Sequence, residues 1–152
     1  MPVPGVGEPN IPGTLVFSMN NVVPLSPPPN PTSIVQAGQP VELRVELGID
    51  GGLTGLLLGE SYQVFHHVER VEDGDRKTLA GGTFTVPSSA AAAASFNEVT
   101  GPYTTSDSGA ADFEVPAGFD SGTFRILTHI HFVDPGKEPI VTAFHDMILM
   151  VA

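Results

Sequence analysis

Two of the five histidines in this chain stand one residue apart, in the run Arg125-Ile126-Leu127-Thr128-His129-Ile130-His131-Phe132-Val133-Asp134. Alternate residues of a strand share a face and lie roughly 7 Å apart. An imidazole pair so placed suits three kinds of chemistry. It can ligate Zn or Cu through neutral ring nitrogens. It can form a contact face whose charge changes near pH 6. It can also be an ordinary hydrogen-bonded feature of a half-exposed strand, and a His-X-His pair is a weak metal motif without a third ligand. Signatures of catalysis are missing: there is no Gly-x-Ser-x-Gly elbow, no phosphate-cradling glycine loop and no His-Glu-x-x-His. Glu72, Asp73 and Asp75 lie in a turn and do not match the spacing of a calcium loop. No catalytic residue is assigned, and the chain is not expected to be an enzyme.

Strands must position these imidazoles. In the run above, Phe124, Ile126, Thr128, Ile130 and Phe132 share one side and read as core. Arg125, Leu127, His129, His131 and Val133 share the other. The segment 41–47, Val-Glu-Leu-Arg-Val-Glu-Leu, alternates in the same way. Further strands are expected over 61–71, 77–86 (with a bulge at Gly81-Gly82), about 95–99, 111–115, 122–133 and 140–151. Glu72-Asp73-Gly74-Asp75 is expected to close a hairpin. The alanine run 90–94 reads as a loop with at most one helical turn, since so short a helix is marginal alone. Residues 1–13 and 24–31 are rich in proline and read as extended connectors around a short strand at 14–19. The count is about eight strands, with no internal repeat.

Composition narrows the function further. At 152 residues the chain fits one domain with a core that needs no staples. It has no cysteine, which excludes disulfides and thiolate metal sites. Six Lys and Arg stand against seventeen Asp and Glu, a net charge of −11. Such a surface repels phosphate backbones and anionic membranes, so nucleic acid is not an expected partner. No apolar run approaches a membrane span, and membrane insertion is not expected. The N-terminus does not read as a secretory signal. Cytoplasmic, virion-associated and processed extracellular locations all remain open.

From residue 32 the order of features resembles bacterial immunoglobulin-like and fibronectin-III-like domains. The resembling pieces are SIVQAGQPVELRVEL, TTSDSGAADFEVP, GTFRILTHIHF and VTAFHDMILMVA. The resemblance implies an all-β, immunoglobulin-like antiparallel β-sandwich of about 7–8 strands over 32–152. It follows an extended Pro-rich N-terminal arm over 1–31. The inter-sheet cysteines and buried tryptophan of antibody-type domains are lacking. The family has no shared catalytic motif.

In the immunoglobulin order the strands bearing His66 and His67, His129 and His131, and His145 are neighbours in one sheet. That implies a candidate metal set of His129, His131, His67, His145 and Asp146, with Zn or Cu as the ion. Alternation puts His67, His129, His131 and Asp146 outward and His145 inward, because burying Asp146 is costly. It also leaves an outward apolar set on the same sheet: Phe65, Leu127, Val133, Phe144, Ile148 and Met150. A monomer seldom exposes such a contiguous patch.

The leading expectation is a non-enzymatic structural or adhesion-type module that self-associates or docks to a larger assembly. Fibres, appendage subunits and virion decoration proteins resemble it in composition. The N-terminal arm could add to a neighbouring subunit's sheet edge. A histidine-cluster metal protein is the alternative. A carbohydrate-binding module ranks last, because the chain has no tryptophan and two tyrosines to build a sugar platform.

Overall fold

The computed structural model describes residues 5–6, 15–132 and 142–152. The molecule is nearly all β, and its two large sheets are antiparallel apart from one short edge pair. Alternation of apolar and polar residues decides which side of each strand faces in. The segment Val41–Asp50 buries Val41, Leu43, Val45, Leu47 and Ile49 and leaves Glu42, Arg44 and Glu46 half-exposed.

The first sheet runs in the order β1 (Gly5–Val6), β2 (Val16–Leu25), β4 (Val41–Asp50), β7 (Phe96–Tyr103). The second runs β3 (Ile34–Val35), β11 (Thr142–Val151), β10 (Gly122–Phe132), β5 (Ser61–Arg70), β6 (Arg76–Thr85). Within the second sheet β3 joins β11 in parallel, and every other pair is antiparallel. Two-residue strands β8 (Thr105–Ser106) and β9 (Phe113–Glu114) make a separate parallel pair.

The inner faces of both large sheets contribute to a single hydrophobic cluster. Phe17 of β2 meets Phe132 of β10 edge-on, with centroids 5.5 Å apart. Tyr62 of β5 meets Phe96 of β7 at 6.4 Å. Each such buried ring stabilises the fold by roughly 1.5–3 kcal/mol. The glycine pair at 81–82 sits where the β5–β6 register shifts, between Val64 and Phe65. A Cβ on Gly81 would lie 2.8 Å from Val64 Cβ, so only glycine fits the bulge. The alanine run forms one helical turn, α1 (Ala90–Ala93), capped by Ser89 Oγ, which accepts from the Ala92 N–H at 3.2 Å.

Three expectations change. The strand expected at 14–19 extends to Leu25 and pairs with β4 along its length, burying Phe17, Met19, Val22 and Leu25. Residues 15–25 are thus part of the first sheet and its core rather than of an extended arm. Pro24 is tolerated there because its carbonyl accepts from Thr32 N–H, on the side away from β4; its missing N–H faces that same edge. The strand expected over 111–115 shortens to β9, and part of the turn expected at 105–109 becomes β8. The hairpin at 72–75 forms as expected, with Gly74 at a φ of +73°.

Candidate functional site

The outer face of β5, β10 and β11 carries the candidate residues. Strict alternation along β10 buries Phe124, Ile126, Thr128, Ile130 and Phe132 and turns Arg125, Leu127, His129 and His131 outward. Register then sets their neighbours. His129 stands opposite Phe65 on β5 and Phe144 on β11; Leu127 stands opposite His67 and Asp146.

The rings on this face form a cluster across three strands. Phe65 stacks on His131 with centroids 5.4 Å apart. His131 and His129 are 4.9 Å apart. His129 lies parallel to Phe144 at 4.6 Å and is 6.0 Å from His67. Rings that cover each other in this way present their edges outward, so the cluster is not a flat sugar-stacking platform. Desolvation lowers the basicity of His129, and the neighbouring His131 and His67 lower it further. Partial burial lowers that of His131. Both shifts favour the neutral imidazole. His131 Nε2 lies 3.1 Å from Gln63 Oε1. An amide oxygen only accepts, so Nε2 carries the proton and Nδ1 the lone pair. His67 Nδ1 lies 3.2 Å from Thr78 Oγ1.

The charged groups around this cluster neutralise one another in pairs. Arg125 grips Asp146 from Nε at 3.0 Å and Nη2 at 2.7 Å. Arg76 Nε reaches Glu69 Oε2 at 2.7 Å. What remains between and beyond them is apolar: Ile148 is 58% exposed, Ile34 52%, Phe144 44%, and Leu127 and Met150 37% each. His67, Leu127 and these ion pairs border a shallow depression of about 420 Å³.

The candidate metal ligands do not converge as one group. His145 is buried on the inner face, paired in register with Thr128, and so lies across the sheet from His129 and His131. Asp146 does face outward, but its carboxylate is engaged by Arg125. Among the described residues no three His, Asp or Glu side chains are grouped to hold an ion. Only His129 and His131, with His67 beyond them, remain close together. Of the apolar set, Phe65, Leu127, Phe144, Ile148 and Met150 share the outer face with them; Val133 lies outside the described residues.

The chain matches no family model and no curated protein.

Alternation puts Val64, His66 and Val68 on the core side, and the structure buries all three; the partners that His66 finds there were not legible in the sequence. His66 is fully buried and bridges the two sheets, with Nδ1 2.8 Å from Thr128 Oγ1 and Nε2 2.8 Å from Thr100 Oγ1. Thr100 Oγ1 gives its own proton to the Leu43 carbonyl at 3.0 Å. Its oxygen must then accept from His66 Nε2–H, and Nδ1 accepts from Thr128 O–H. Burial, with a smaller contribution from His67, pushes the His66 pKa down to about 4. The one available signal was a threonine at an otherwise apolar core position of β10. Beside it, Tyr62 donates to Glu98 Oε1 at 2.9 Å, a second polar link between the sheets. His145 has neither ring nitrogen hydrogen-bonded, and burial lowers its basicity too.

Proposed function

We propose that the protein is a non-enzymatic association module of immunoglobulin-like sandwich type. It docks through the outer face of β3, β11, β10 and β5 onto a second copy of the same chain. The strand order supports the immunoglobulin-like reading. Adjacent β2, β4 and β7 correspond to its A, B and E strands. The opposing β3, β11, β10, β5 and β6 correspond to its A′, G, F, C and C′ strands.

The observation that carries the docking reading is the apolar row Ile34, Met150, Ile148, Leu127 and Phe144, all exposed and all on one face. Arg125 and Asp146 cross the row, opposite Ile148 and Leu127, and soluble monomers rarely expose so much apolar surface on one sheet face. The ion pairs beside it are internally neutral, so two copies can meet there despite a chain charge of −11. Exchange of the N-terminal strand is not part of the proposal, because β2 is already paired with β4 of its own chain.

Light scattering across a concentration series tests the reading. The native chain is expected to show a mass above 15.9 kDa, and Ile148→Glu with Leu127→Glu is expected to return it to the monomer mass. A native chain that stays monomeric at millimolar concentration removes the basis for self-association.

A further inference from the structure

We propose that His129 and His131 form an open, two-imidazole site for a divalent transition metal with a preference for nitrogen ligands, Cu²⁺ above all.

The argument is geometric. A ligand bond of about 2.0 Å places an imidazole centroid about 3.2 Å from the ion. Two rings on one ion are then about 4.5 Å apart at a right angle and about 5.2 Å apart at the tetrahedral angle. The His129 and His131 centroids, at 4.9 Å, fall between these values. The 6.0 Å between His67 and His129 does not, so His67 is left out of the coordination sphere.

The nitrogens are arranged to suit the same role. Gln63 Oε1 holds the proton of His131 on Nε2 and leaves the Nδ1 lone pair free. This is the outer-shell device by which metal-binding histidines are oriented: the second ring nitrogen donates to a fixed oxygen. His129 Nε2 is shielded from solvent and has no hydrogen-bond partner, so Nδ1 is the nitrogen of this ring available to an ion that keeps water ligands. Stacking on Phe144 fixes the plane of its ring. Asp146, the outward carboxylate nearest along β11, is held by Arg125 and does not compete for the ion. Cu²⁺ heads the affinity order for nitrogen sites and is therefore the ion expected to bind most tightly. The other coordination positions fall to water.

The site shares the outer face with the proposed docking row, and Phe144 of that row stacks on His129, so its test is designed to keep the two distinct. Untagged full-length chain is titrated with Cu²⁺ by calorimetry, and the electron paramagnetic resonance spectrum of the loaded form is recorded. One ion per chain and hyperfine structure from two nitrogens are expected. His129→Ala and His131→Ala are each expected to weaken binding by roughly 10- to 100-fold, and Gln63→Ala by less than either. His67→Ala is expected to leave the affinity within about threefold, since outer groups alter it by more than that only when they orient a ligand. Circular dichroism confirms that each variant is folded. Ile148→Glu with Leu127→Glu, expected to abolish docking, leaves both imidazoles in place and is expected to keep Cu²⁺ binding with coupling from two nitrogens. Equal affinity in native chain and in His129→Ala/His131→Ala overturns the assignment. So does a spectrum without nitrogen coupling, or a loss at His67 as large as that at His131.

Discussion

The buried His66 bridge makes the fold acid-sensitive by an amount that can be worked out. In the unfolded chain an imidazole titrates near 6.5; in the folded protein burial holds His66 at about 4. Above pH 6.5 both states are neutral at this residue and its contribution is fully present. As pH falls from 6.5 toward 4 the unfolded state takes up a proton and the folded state does not, so stability is lost over that window. Below pH 4 both states are protonated and the loss levels off at about 3 kcal/mol. At pH 4.5 the linkage relation gives a loss of about 2.5 kcal/mol relative to pH 7. For a chain of this length each kcal/mol moves the melting temperature by about 2–4 °C. The assay is urea unfolding at pH 7 and at pH 4.5, in the native chain and in His66→Asn, whose amide does not titrate. His129, His131, His145 and the carboxylates shift alike in both chains, so the difference between the two pH responses isolates His66. The native chain is expected to lose about 2.5 kcal/mol more than the variant on acidification. Equal losses would refute the claim that a neutral, buried imidazole joins the sheets.

Three other outcomes follow from the packing. Thr128→Val removes the hydroxyl that donates to His66 Nδ1 and leaves a buried nitrogen unsatisfied; urea unfolding at pH 7 is expected to show a loss of about 1–3 kcal/mol. Gly81→Ala forces a methyl against Val64 and the β5 backbone, and calorimetry is expected to show a lower melting temperature with no change in oligomer mass. The Arg125–Asp146 pair is solvent-exposed at both ends, so a double-mutant cycle with alanine is expected to show only weak coupling, diminishing as salt is added.

The parts of this fold that could be read from sequence are those where local pattern and tertiary environment agree. Residues 41–47 and 124–132 alternate because one side of each strand is dry, and the structure keeps that phase at every position. Gly81-Gly82 announced a bulge because no other residue fits one so easily. The segment 16–25 was harder. Pro24 suggested a connector, whereas only the pairing with β4 and the position of Thr32 reveal that the proline nitrogen faces a sheet edge. The candidate site divides in the same way. Which histidines point outward followed from period two. That Asp146 would be taken by Arg125, that a parallel ring would cover His129, and that His66 would find two threonines could not follow. Those partners lie 21, 15, 34 and 62 positions away and depend on register between strands.

The in-and-out alternation of β5, β10 and β11 also separates two kinds of physical constraint. Inward side chains are constrained by the need to fill space between layers, whereas their outward neighbours are not. Changes to the outward side chains are therefore expected to remodel the surface, residue by residue, while folding stability stays nearly constant.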